Sequence, residues 1–454
     1  MVPSANKSAW TLPFTADRVQ AVLRDLPQPE QYVIAYSGGL DSHVLLHVMA
    51  TLRPRGGRPC RAIHIQHGLQ TDAADWATHC QAVCQALAVP LQVEHLHLQP
   101  EAGASLEAIA REARYAALHC LAPPKSMLLT AHHADDQAET VLLQILRGAG
   151  IQGLAAMPDC RPAPCGWHAR PCLGVSRQAM QAYAEQHKLS WIEDSSNQDT
   201  DFDRNYVRQQ VMPVIRARWP AASRTIARSA KHVAATLPII QAQTERDLAD
   251  SLNTAGRLQV SALLALPLVR CQHVLRAWVR QAGHPVPNQA QLAEITDKML
   301  YAAPDAQPMV GWQHSLLRRY RDQLWLQSRP IPPAPGPDTQ LAWPADSAEI
   351  QLPPGCGILQ RIPAAEGVPD RYWQQGKLSI HWRTPGVRCQ PQGRQGSRTL
   401  KQLCQTYAVP PWQRAYLPLL YANDQLIAVA DLCVSEGIMV LPGDTFSQIC
   451  WTLD

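Results

Sequence analysis

The sequence predicts an α/β protein. An N-terminal parallel-sheet domain is followed by a helical domain and an α+β C-terminal domain. Three observations carry this. From Gln31 to about Ile192, short apolar runs alternate with helical patterns, the rhythm of βαβ units. From Ser223 to about Ala282 apolar residues recur at three- and four-residue intervals, as in helices. Ten of the 38 prolines then fall between Pro330 and Pro369, which marks a connection. A chain of 454 residues exceeds one ordinary core. The expected divisions are 1–216, 217–329, a proline-rich connection over 330–370, and 371–454.

The elements follow in order. "YVIAYS" leads into "HVLLHVMATL", and "CRAIHIQHG" into "WATHCQAVCQALAV". "LQVEHLHL" leads into "SLEAIAREARYAALHCLA", and "SMLLTAHH" into "ETVLLQILRG". In each pair a strand precedes a helix. "LSWIED" reads as a further strand after the helix "SRQAMQAYAEQHK". Later, "HSLLRRYRDQLWLQS" reads as a hairpin, "RTLKQLCQTY" as a helix and "LIAVADLCV" as strand-like.

Composition excludes several classes. With 46% hydrophobic and 17% charged residues the chain is globular, not disordered. No apolar run approaches the roughly 20 residues of a bilayer span, so no membrane partner is expected. "MVPSANKSAWTLPF" lacks the basic and apolar regions of a secretory signal, and the expected location is cytoplasmic. The 13 cysteines include no C-x-x-C pair and read as reduced thiols. Cys160, Cys165, His168 and Cys172 match no standard zinc spacing, so no structural metal is predicted and the role of that segment stays open.

Charge is localised. Seven Lys or Arg and no acid lie between Arg204 and Lys231, and the same holds between Lys377 and Arg414. The net charge of +4 therefore hides two basic segments on an acidic remainder, a pattern suited to a polyanion. The plainer alternative is a pair of solvated faces.

The chemistry begins at "YSGGLDS". Gly38 and Gly39 bare the backbone between a strand and a helix, so amides can approach an anion. The helix beginning near Asp41 adds its positive end, and Ser37 and Ser42 add hydroxyls. A tight turn capped by Asp41 or Ser42 is the structural alternative. No G-x-x-x-x-G-K-[ST] occurs. "GAGIQG" at Gly148–Gly153 follows a helical pattern instead of a strand and so is no dinucleotide fingerprint.

"SGGLDS" in this setting resembles the pyrophosphate-loop ATPases, whose Rossmann-like domain cleaves ATP between the α and β phosphates. Four more stretches narrow the likeness: "IHIQHGLQTDAADWATHC", "EAIAREARYAAL", "LLTAHHADDQAETVLLQILRGAGIQGLAAM" and "WIEDSSNQDTDFDRNYVRQQVMP". With the C-terminal "RTLKQLCQTYAVPPWQRAYLPLLY" they resemble the tRNA(Ile)-lysidine synthase family in its bacterial long form. Phe202 departs from the family's usual tyrosine. The resemblance implies a ligase that uses ATP and Mg2+ to adenylate O2 of the wobble cytidine of tRNA(Ile) with a CAU anticodon. Free L-lysine then attacks C2, releasing AMP and changing codon reading from AUG to AUA.

The residues divide as follows. Ser37, Gly38, Gly39, Leu40, Asp41 and Ser42 form the expected ATP site. Asp41, Arg114, Asp136, Glu139 and Arg208 are the catalytic candidates. His133, Asp135, Asp136 and Glu139 follow a strand's carboxyl end, where parallel-sheet sites lie, and are candidates for lysine or Mg2+. Asp136 and Glu139 also fit a capping box, with Asp136 as the N-cap. Arg114, beside Tyr115, is expected to touch ATP or the activated cytidine. Arg204 and Arg208, four apart, align on a helix and suit phosphate or adenylate. Arg204, Arg394, Arg398, Lys401 and Arg414 are candidates for tRNA contact, with Trp412 as a stacking partner. His64 and His67 lie in the region of the adenosine and are not read as catalytic. The sequence leaves a homodimer open.

Two other functions compete. A 2-thiolating tRNA modifier on the same fold would need relay cysteines, often as C-x-x-C. An RNA-binding module holding ATP only structurally would show no turnover.

Overall fold

The computed structural model describes residues 14–66, 73–96, 106–193, 199–303, 306–375, 378–382 and 386–453. It divides into two units between Gln241 and Ala242. In the first, helix α1 (Ala16–Arg24) precedes β1 (Gln31–Ala35), α2 (Leu40–Leu52) and β2 (Cys60–Gln66). Next come α3 (Ala73–Ala86), β3 (Leu91–His95), α4 (Leu106–Leu121), β4 (Ser126–Leu129) and α5 (Ala134–Leu146). The short α6 (Ile151–Leu154) leads to a hairpin of β5 (Cys160–Ala163) and β6 (Gly166–Ala169), then α7 (Arg177–Gln186).

The six strands form one sheet in the order β3-β2-β1-β4-β6-β5. All neighbours are parallel except β5 and β6, which are antiparallel. The central strands β1 and β4 are buried on both sides because both faces are covered. Ile34 and Met127 point into a core shared with α1, α2, α3 and α7. Val33 and Leu128, one residue away, point to the opposite face and pack on Leu118 of α4 and on Ala122 just after it. The chain leaves β1 and β4 on the edge where α2 and α5 begin. In an open α/β sheet that edge holds the ligands.

The helical stretch after the sheet is one bent rod. It comprises α8 (Asp203–Tyr206), a π-helical turn (Val207–Val211) and α9 (Met212–Arg218). Val207 and Met212 bury against Ala138 of α5. The long α10 (Ala222–Ser251) follows and tolerates Pro238 within it.

Two expectations differ from the structure. "LSWIED" forms no strand over residues 189–193; instead the Ile192 amide donates to the Gly38 carbonyl at 3.1 Å, laying the segment along the glycine turn. The strand after β4 is β6, from "GWHA", hidden in the proline-rich "CRPAPCGWHA". Gly166 starts it with φ +124°, and a Cβ there would stand 2.7 Å from the Ser126 carbonyl oxygen, so only glycine fits.

The second unit begins in α10 and continues through α11 (Val260–Leu264), α12 (Leu268–Gln281) and α13 (Gln289–Glu294). An antiparallel sheet of β7 (Met309–Trp312), β8 (Ser315–Tyr320) and β9 (Gln323–Ser328) shares their core through Leu317 and Leu324. The stretch over 330–370 is more than a connection. It carries strands Gln340–Ala342, Glu349–Gln351, Ile358–Ala364 and Val368–Pro369 and supplies Trp343, Leu352, Leu359 and Val368 to a core with Trp373 and Trp382. Its prolines fall largely at strand edges and turns, where no ladder amide is needed. A five-stranded sheet orders Gln340–Ala342, Leu378–His381, Leu419–Ala422, Gln425–Val429 and Cys433–Val434. Helix Leu400–Thr406 packs nearby through Leu403 and Cys404.

Among the described residues no group of three His, Cys, Asp or Glu could hold a metal. Cys165 lies in the core under α4, whereas Cys172 lies in the core on the other face. Among the described residues no helix is long and apolar enough to cross a membrane.

Candidate active site

The turn after β1 is shaped by its two glycines. Gly38 has φ +85°, and a Cβ there would meet Cys80 Sγ at 3.0 Å. Gly39 is the N-cap of α2 and offers no side-chain cap, leaving the first-turn amides of the helix without the usual side-chain acceptor. Ser42 Oγ donates to the Gly39 carbonyl at 3.0 Å, accepts the Ser37 amide at 3.2 Å and lies 3.0 Å from Ser37 Oγ. The hydroxyls thus brace the turn, while the helix end remains a ready anion site. The structure places Ser37 through Ser42 together, as the sequence pattern requires.

Asp41 stands on the first turn of α2, with Oδ2 3.6 Å from His133 Nε2 and Oδ1 buried without a partner. His133 is the N-cap of α5: its Nδ1 accepts the Asp136 amide, and Asp136 Oδ2 accepts the His133 amide at 3.0 Å. The capping box therefore exists one turn earlier than its sequence alternative, with Asp136 at N3 and Glu139 outside it.

Glu139 instead faces the bent rod. Arg208 donates Nε to Oε1 at 2.7 Å and Nη2 to Oε2 at 2.9 Å; Arg204 donates Nε to Oε2 at 3.1 Å. Both arginines also reach Asp136 Oδ1, at 3.3 Å from Arg204 and 2.9 Å from Arg208. Glu139 is 1% exposed, so its carboxylate is dry and the two-point geometry is strong. Burial opposes ionisation of Asp136, but His133, Arg204, His132 and Arg208 overcome it and hold the carboxyl well below the usual range. Burial would lower His133, yet Asp136, Asp41 and Asp135 raise it.

Asp135 ties four helices together. Its Oδ1 accepts from Arg216 Nη2 and Ser223 Oγ, both at 2.7 Å, and Oδ2 accepts the Arg177 amide at 2.8 Å. One carboxylate thereby joins α5, α7, α9 and α10. Sequence reading missed Arg216 and Ser223, whose signal is distributed over 88 residues of chain.

Arg114 lies 5.7 Å from the Tyr115 ring and Arg111 5.3 Å, on the α4 side. His64 is structural: Nδ1 meets the Tyr36 carbonyl at 2.9 Å. His67 lies outside the described residues. Arg147 pairs with Asp203 at 3.3 Å on the surface.

In the second unit, Lys401 and Arg414 line a cavity of about 360 Å³ with Leu400, Cys404, Pro411 and Leu417. Arg398 Nη1 lies 3.4 Å from Thr406 Oγ1, and the Arg394 guanidinium 6.0 Å from the Tyr407 ring. Trp412 is not an open stacking platform. Its ring packs edge-on to Tyr320 and Trp325, with Arg318 4.9 Å from its centre.

This glycine turn at the head of β1 and the parallel sheet behind it define a PP-loop domain, and residues 13–215 match the family model of that name. Residues 258–325 match a TilS substrate binding domain and 378–451 a TilS substrate C-terminal domain. The tRNA(Ile)-lysidine synthase of Coxiella burnetii is 38% identical over 93% of this chain and 94% of its own. That of Alkalilimnicola ehrlichii is 40% identical over 92% and 93%, and that of Salmonella typhi 38% over 88% and 92%. The chain belongs to the tRNA(Ile)-lysidine synthase family. A solved U34-tRNA thiolase from Methanococcus maripaludis aligns with 48% of this chain and 77% of its own at 15% identity, with a TM-score of 0.40, too loose a likeness to argue from.

Proposed function

We propose that this chain ligates L-lysine to C2 of the wobble cytidine of tRNA(Ile) with a CAU anticodon. O2 of the base attacks the α-phosphorus of ATP and pyrophosphate leaves. The ε-amine then adds at C2, AMP departs with the oxygen, and the amine gives up its proton. The observation that carries the reading is the uncapped end of α2 behind Gly38 and Gly39, with Asp41 beside it and the Asp136–Glu139–Arg204–Arg208 cluster on the adjoining strand end. The turn stabilises charge growing on pyrophosphate. Asp41, whose Oδ1 has no partner, is the carboxylate suited to Mg2+, which would neutralise phosphate charge.

Asp136 and Glu139 are engaged by arginines, so their part is to fix Arg204 and Arg208 for the adenylate. Arg114 approaches ATP or the cytidine from α4. Residues 217–329 and 371–454 hold the tRNA, with Arg394, Arg398, Lys401 and Arg414 supplying phosphate contacts.

The test is incubation with purified tRNA, ATP and radiolabelled lysine, followed by nucleoside mass analysis at position 34. AMP, pyrophosphate and a lysine-bearing cytidine should form together. ATP cleavage that ignores tRNA and lysine, or none at all, removes the proposal.

A further inference from the structure

On the α4 side of the sheet edge lies a second group of charges that the ligase scheme leaves unused. Arg170, just past β6, is 5% exposed. Its Nη1 donates to the Pro158 carbonyl at 3.0 Å, and its Nε is buried with no partner. Arg161 and Arg111 are close enough to act on it, and with burial, the larger cause, they push it down to about 10. Among the described residues no carboxylate pairs with Arg111, Arg161 or Arg170. A guanidinium taken out of water without a counter-charge is costly unless an anion arrives to meet it.

The surroundings are built, not incidental. Thr130 Oγ1 lies 3.0 Å from both His132 Nδ1 and His168 Nε2, and Tyr115 Oη lies 3.5 Å from His132 Nε2. The Tyr115 and His168 rings sit 5.6 Å apart. Burial and the nearby arginines hold His168 down at about 2, and burial is the main cause that brings His132 to about 3. These imidazoles stay neutral and add no positive charge. His132 feels Asp136 and Arg204 on one hand and Arg170 and Arg111 on the other, so the arginine group adjoins the acid cluster across a single residue.

We infer that Arg170, with Arg111 and Arg161 beside it, forms a small-oxyanion site whose occupant is the α-carboxylate of the amino-acid substrate. The inference rests on the ligase reading above. A lysine must bring its amine to the base while its carboxylate finds a cation, and this site is a short step from the Asp41–His133 pair. A backbone phosphate of RNA is the other source of an oxyanion. It would reach exposed Arg161 but suits a 5% exposed Arg170 poorly.

The test uses the full chain with tRNA and ATP. It compares kcat/KM for L-lysine, L-lysinamide and 1,5-diaminopentane in wild type, Arg170→Gln and Arg111→Gln, with tRNA Kd measured alongside. Wild type should prefer lysine over both carboxylate-free amines by roughly 10- to 100-fold, the size of a charged hydrogen bond. The variants should bring that ratio to within about threefold. If Arg170→Gln fails to fold, Arg111→Gln, on the half-exposed face of α4, decides the matter. Where wild type ligates lysine, a ratio unchanged in the variants, or a loss confined to tRNA Kd, overturns this inference alone. A wild type that takes no lysine overturns it together with the ligase reading.

Discussion

Arg208 meets both oxygens of Glu139 at once, Nε at 2.7 Å from Oε1 and Nη2 at 2.9 Å from Oε2. With Glu139 fully buried, this pair is a strut between α5 and the bent rod as well as a means of aiming Arg208. Glu139→Gln should destabilise the fold by about 3 kcal/mol, because it breaks a buried ion pair and leaves Asp136 to balance two guanidinium groups. Adding Arg208→Met should recover part of that loss. Denaturant unfolding measures both, and a single variant as stable as wild type would remove the strut.

Asp41 makes no such tie, and among the described residues its carboxylate pairs only with His133, at 3.6 Å. Asp41→Ala should leave the melting temperature nearly unchanged while lowering tRNA-dependent pyrophosphate release at least about 100-fold. Full activity in this variant would count against the loop assignment.

Gly38→Ala tests the turn itself. At φ +85°, with Cys80 Sγ 3.0 Å from the new Cβ, the change should cost about 1–2 kcal/mol. It should also weaken ATP binding by pushing the turn away from Cys80 and Ile192. ATP titration reads the second effect, and an unaltered Kd would show that the turn does not shape the phosphate site.

The second unit is tested by Arg398→Glu with Lys401→Glu. tRNA affinity should fall and lose part of its salt dependence, while the Kd for free ATP stays at the wild-type value. Equal loss of both affinities would make this surface structural only.

Stability should depend on pH through the His133 cluster. Asp136 is depressed, so its contribution is complete above the ordinary aspartate value of about 3.9 and fades as pH falls through its lowered value. His133 is raised, so its contribution is complete below the ordinary value of about 6.5 and fades as pH rises through its raised value. His133→Asn keeps an N-cap acceptor but lacks the charge. The gap in melting temperature between wild type and this variant should narrow as pH climbs above about 6.5. A constant gap would mean that His133 is neutral.

Much of this was legible in the chain. The βαβ rhythm located β1 to β4, most plainly β1 and β4, whose burial on both faces leaves apolar runs. The glycine turn was readable because only glycine allows that backbone. What escaped depends on distant partners. β6 lies in a proline-rich stretch whose pairing with β4 no local pattern announces. Asp135 resembles its neighbour Asp136 in sequence, yet Arg216 and Ser223 claim it from 81 and 88 residues away. Trp412 looked available for stacking because its neighbours Tyr320, Trp325 and Arg318 lie far back in the chain.

The π turn at Val207–Val211 holds one residue more than an α-helix would need. That surplus sets the angular phase between the Arg204 end and the Arg216 end of the rod. Winding the same residues as an ordinary α-helix would rotate one end by about 100° against the other. Arg204 and Arg216 would then no longer look toward α5 together, so the width of this turn is itself a determinant of the chemistry, and a further residue inserted in it should be far less forgiving than a substitution.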